Sequence, residues 1–177
     1  MQARTLTLTF ALALASTACR ATSSSHAVVP TDPTVRAPLL DAVASLAGHW
    51  KGTAPDGSSG LTEFSVSSSG SAVREIMLPA TPSEMTNMYT LDGNGLVMTH
   101  YCAAGNQPHM RATAIGGDRI VFESVGVSDL KSEDEVYMGA MTLVIRDADH
   151  IEQHWYSYRA GVRDESHDMV FEMERIH

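Results

Sequence analysis

From His49 to the C-terminus the chain is cut into short β-rich segments by turn signals at near-regular intervals. That spacing restricts it to an antiparallel β fold. Turn-forming residues cluster at Asp56-Gly57-Ser58-Ser59-Gly60, Ser67-Ser68-Ser69-Gly70, Pro79-Ala80-Thr81-Pro82, Asp92-Gly93-Asn94-Gly95, Ala104-Gly105-Asn106, Gly116-Gly117-Asp118, Asp147-Ala148-Asp149 and Ala160-Gly161, where tight backbone geometry is tolerated. About nine or ten strands fit between them. Sequential hairpins without helical crossovers favour an all-β antiparallel barrel or sandwich over an α/β fold. An up-and-down barrel leaves no edge strand and, at about eight strands, encloses room for one small ligand.

Two segments need separate treatment. Pro38 to Ala47 carries Leu39, Leu40, Val43 and Leu46 on one face at helical spacing and is followed by Gly48, which predicts one short amphipathic helix ahead of the barrel. In RDADHIEQHWYSY, from Arg146 to Tyr158, a helix would bring His150 and His154 to the i, i+4 spacing of a zinc pair. A strand would hold them about 13 Å apart. The β-rich flanks around Asp147-Ala148-Asp149 favour the strand, with both histidines at the surface or satisfied locally.

The N-terminus has the layout of a secretory signal: Arg4, an apolar run from Leu6 to Ala15, then small residues before Cys19. Ser16-Thr17-Ala18-Cys19 also resembles a lipobox, in which Cys19 is lipidated after removal of residues 1–18. Ordinary signal peptidase would cut at the same bond, so a soluble secreted protein is the alternative. Residues 19–37 are rich in Ser, Thr and Pro and read as a tether, which leaves 38–177 as the barrel domain. The expected address is therefore the cell envelope, with membrane contact through the lipid anchor alone. The net charge of −9, without a Lys/Arg cluster, argues against nucleic-acid binding. With Cys19 lipidated, Cys102 has no intramolecular partner, and the fold does not depend on a disulfide.

Two stretches carry a family resemblance. Leu46-Ala47-Gly48-His49-Trp50-Lys51-Gly52 resembles the L-x-G-x-W-x-G opening of lipocalin-like and nitrobindin-like barrels. Glu84-Met85, Tyr89-x-Leu91-Asp92-Gly93 and Thr99-His100-Tyr101-Cys102-x-x-Gly105-Asn106-Gln107-Pro108-x-Met110-Arg111-Ala112 resemble a bacterial lipocalin-like family of uncharacterised function, and Asp147-Ala148-Asp149-His150 followed by Trp155 extends the likeness. The resemblance implies a lipocalin-type β-barrel but no particular reaction. Tyr137-Met138-Gly139-Ala140 stands where that family carries histidines, so functions requiring those are not implied here.

Within the stretch from Thr99 to Ala112, a hairpin turning across Ala103 to Pro108 would set Cys102 opposite His109 and His100 opposite Arg111. All four side chains would then share one face, with Thr99, Tyr101, Met110 and Ala112 on the other. Three uses of that face are open. The first is a ligand site in the barrel mouth, with His100, Tyr101, Cys102, His109, Arg111 and Trp155 around a small amphipathic molecule. Arg111 would hold an anionic head group, and the methionines and Phe171 would supply the apolar remainder. The second is a metal centre of His100, Cys102 and His109, which no recognised ligand spacing supports. The third is a polar network that pins a hairpin in a structural or protein-binding lipoprotein.

The nitrobindin-like resemblance adds a haem alternative, in which His167 holds iron against a wall of Met169, Phe171 and Met173; the sequence otherwise leaves any cofactor unknown. Glu75 and Glu84 are candidate bases, although Glu75 beside Arg74 also fits an exterior charge pair. No nucleophile elbow, phosphate loop or paired-carboxylate motif is visible. Binding is expected over catalysis.

Overall fold

The computed structural model describes Pro30 and residues 33–177. The expected signal segment, Cys19 and most of the expected tether lie outside the described residues. Helix α1 (Pro33–Ala44) is followed by β1 (Gly48–Thr53), β2 (Ser59–Ser67), β3 (Ala72–Met77), β4 (Met85–Asp92), β5 (Gly95–Tyr101), β6 (Gln107–Ala112), β7 (Ile115–Gly116), β8 (Arg119–Ser128), β9 (Tyr137–Ile145), β10 (His150–Arg159), β11 (Val162–Arg163) and β12 (Met169–Ile176). Each long strand pairs antiparallel with the next, and β12 returns to β1. Ten strands therefore close an up-and-down barrel of the lipocalin-like kind. The two-residue strands β7 and β11 only extend β8 and β10.

The helix begins five residues earlier than its periodicity predicts and takes in part of the expected tether, with Pro33 first and Pro38 inside it. The fixed φ of Pro33 suits a first helical position. The helix also ends earlier, at Ala44, so of the predicted apolar face Leu39, Leu40 and Val43 lie on the helix and Leu46 just after it; all four are buried. They cap one end of the barrel, where α1 packs against β2, β3, β4 and β5. Trp50 locks this cap by donating its indole N–H to the Leu46 carbonyl at 2.8 Å. The guanidinium of Arg175 lies 4.3 Å over the Trp50 ring and donates to the carbonyls of Ser45, Ala47 and Ala148. The Gly-x-Trp opening thus joins helix, first strand and last strand.

His150 to Tyr158 forms a strand, as the β-rich flanks predict. His150 faces solvent and bonds Asp147, while His154 bonds Glu152 on the outer face. A bulge opposite Tyr156 and Ser157 leaves Gly139 as the extra residue of β9. A Cβ there would run into the Tyr158 ring, so this bulge requires glycine.

The hairpin between β5 and β6 departs from expectation. Cys102 pairs with Asn106 across the three residues Ala103, Ala104 and Gly105, with Gly105 at φ +93°. This sets Thr99 opposite His109 and Val97 opposite Arg111. The turn is tighter than predicted, and Pro108, expected within it, lies inside β6. The offset from the expected register is an odd number of residues, which moves the partner strand's side chains to the opposite face. His100 and Cys102 therefore share the interior with Met110, while His109 and Arg111 lie outside with Thr99 and Tyr101.

Candidate functional site

Four interior strands repeat one pattern along the barrel axis. Toward the helix-capped end stand the buried residues Val73, Tyr89, Met98 and Ile151. One inward position further along each strand come Glu75, Asn87, His100 and Gln153, all buried and all polar. One step further again come Met77, Met85, Cys102 and Trp155, which line a cavity at the other end. Along these four strands the interior thus has an apolar base, one polar layer and a mainly apolar chamber above it.

The polar layer is one connected network. Glu75 accepts hydrogen bonds from Asn87 Nδ2, Tyr89 Oη and Gln153 Nε2, each at 2.7 Å. Gln153 Oε1 accepts from the Trp155 indole at 3.1 Å. Asn87 Oδ1 lies 2.6 Å from His100 Nδ1, and the His100 ring packs 4.8 Å from that of Trp155. The amide of Asn87 donates toward the carboxyl and so presents its oxygen to the imidazole, which places the imidazole proton on Nδ1. Among the described residues, His100 Nε2 has no hydrogen-bond partner, and the only fully enclosed side-chain nitrogen or oxygen without one is Asn106 Oδ1. Nε2 therefore offers a lone pair to the cavity.

Burial sets the protonation of the layer. Desolvation raises the Glu75 carboxyl above the ordinary range, against the pull of its three donors. Desolvation also lowers His100 to about 4, so its ring is neutral at physiological pH. The Tyr89 phenol is held well above its ordinary value by burial, then by the neighbouring Glu75 charge.

The chamber has a volume of about 410 Å³, within the usual range for small-molecule sites. Its lining is mainly apolar, with Leu78, Met138, Met169 and Phe171 joining the residues named above and Ser58 and Ser59 at the rim. A recess of about 50 Å³ continues it toward Thr62 and Met173.

The structure divides the six sequence-derived ligand candidates equally. His100, Cys102 and Trp155 line the chamber. Tyr101 is 49% exposed, His109 bonds Thr99 and Ser128, and Arg111 bonds Asp92 at 2.7 Å on the outer surface. The expected common face, and with it a His100–Cys102–His109 cluster, is overturned by the register. Among the described residues no group of three or more His, Cys, Asp or Glu side chains is arranged to hold a metal. His167 sits on an exposed turn, Glu165–His167, bonded to Ser166, and does not line the chamber. Met169 and Phe171 do form part of its wall and Met173 lines the recess, whereas Met98, Met110 and Met141 are core.

Sequence reasoning missed the polar layer. Glu75 is no exterior partner of Arg74: the two alternate across β3, with the carboxyl inside. The available signal was parity, since Val73, Glu75 and Met77 alternate along β3 with Ala72, Arg74 and Ile76. Glu84 instead closes its own loop by accepting from the Ala80 amide. Asn106 clamps the loop before β9, donating to Glu135 and to the Val136 carbonyl. No family model and no curated protein matches the chain.

Proposed function

We propose that this protein is an exported, lipid-anchored barrel that binds a small apolar or amphipathic molecule in the chamber above its polar layer. One observation carries this reading: a mainly apolar cavity of about 410 Å³ lies inside a closed barrel and is open at the end opposite the helix. Four methionines, Met77, Met85, Met138 and Met169, stand in its wall, and unbranched, polarisable side chains adapt to an irregular guest. Export and anchoring rest on the N-terminal sequence ending at Cys19.

The test is uptake of the neutral fluorophore N-phenyl-1-naphthylamine. Wild-type protein is expected to take up one equivalent with enhanced emission. Met85→Trp, which fills the chamber, is expected to lose uptake while keeping its melting temperature within a few degrees. Equal uptake by a folded Met85→Trp variant would place the dye elsewhere and contradict the chamber. No uptake by either would favour a structural or protein-binding role.

A further inference from the structure

The polar end of the guest can be deduced from the floor of the chamber. His100 is 2% exposed, lines the cavity and has Nδ1 engaged by Asn87 at 2.6 Å. Its other nitrogen is left as an acceptor. No Lys or Arg lines the chamber, and the carboxyl directly below, Glu75, is held by three neutral donors. An anionic head group would find no countercharge and a carboxyl close by. A charged ammonium would lose its hydration to a wall of methionine and aromatic carbon. A neutral hydroxyl meets neither penalty and supplies the proton that Nε2 can accept.

We infer that the chamber selects amphipathic molecules whose polar end is a neutral hydrogen-bond donor, an alcohol or a phenol, seated on Nε2 of His100. This rests on the proposed ligand-binding role and adds the class of ligand. The apolar part of the guest lies between Trp155 and Phe171, toward the rim at Ser58 and Ser59. Trp155 donates its own N–H downward to Gln153, so it meets the guest with its ring rather than its polar edge.

The experiment compares three probes of similar size by quenching of Trp155 fluorescence at neutral pH: 4-pentylphenol, 4-pentyltoluene and 4-pentylbenzoate. The phenol is expected to bind roughly tenfold more tightly than the toluene despite its weaker drive to leave water, and the benzoate least. His100→Phe is expected to reverse the order of phenol and toluene. Because that variant leaves Asn87 Oδ1 without a partner, the ¹⁵N signal of His100 Nε2 in the wild type supplies a second readout. It should shift on addition of phenol and not of toluene. Binding of all three with toluene or benzoate tightest would overturn the donor inference and leave the ligand-binding role standing. Binding of none would overturn both.

Discussion

His100 Nδ1 lies 2.6 Å from Asn87 Oδ1, and the same Asn87 amide donates to Glu75 at 2.7 Å, so a carboxyl two strands away determines which imidazole nitrogen carries the proton. A Gln at position 75 would place an N–H₂ among groups that all donate. The least costly relief is a flip of Asn87, because Tyr89 can rotate its hydroxyl and His100 can change tautomer. Glu75→Gln is therefore expected to move the His100 proton from Nδ1 to Nε2 and turn the chamber's acceptor into a donor. ¹⁵N NMR of the imidazole checks this: a pyrrole-type Nδ1 in the wild type and a pyrrole-type Nε2 in the variant. The same tautomer in both would contradict the coupling.

Stability is expected to depend on His100 in acid. The folded value is lowered by desolvation from 6.5 to about 4, so between these values the unfolded chain holds more protons than the native one. Stability then falls as pH drops through that window, by roughly 3 kcal/mol in all, and the loss levels off below it. Glu75 acts with the opposite sign. Its raised folded value gives a contribution that is present at low pH and lost as pH rises through that value. Urea denaturation across pH 4 to 7 should therefore show a steeper acid loss in wild type than in His100→Phe. Parallel profiles would contradict the assignment.

Arg111→Ala is expected to leave N-phenyl-1-naphthylamine uptake unchanged and to cost about 1 kcal/mol or less, since its ion pair with Asp92 is exposed on the outer face. Loss of uptake by the folded variant would return Arg111 to the ligand site.

Cys19→Ser is expected to release the protein from the membrane fraction into the soluble envelope fraction without altering its melting temperature. Retention in the membrane by the variant would rule out the lipid anchor.

The barrel was legible because turn clusters and β-rich segments repeat along the chain, and both signals are local. The same holds for the strand at His150 to Tyr158, where β-rich flanks outweighed a possible histidine pair. Register in the β5–β6 hairpin was not legible. It depends on whether the chain turns over Ala103 to Gly105 or over a longer loop, and an odd offset sends His109 and Arg111 outward. The polar layer was harder still, because Glu75, Asn87, His100 and Gln153 come from four strands and meet only after closure. A single sequence places each on an inward parity but gives no sign that they share one level of the barrel.

Native mass spectrometry of the protein, purified without denaturation, tests the ligand chamber most directly. The expected result is an organic mass that accompanies the folded chain, leaves on denaturation and is absent from the folded Met85→Trp variant. A bare folded mass that also fails to take up 4-pentylphenol would contradict a ligand-binding role.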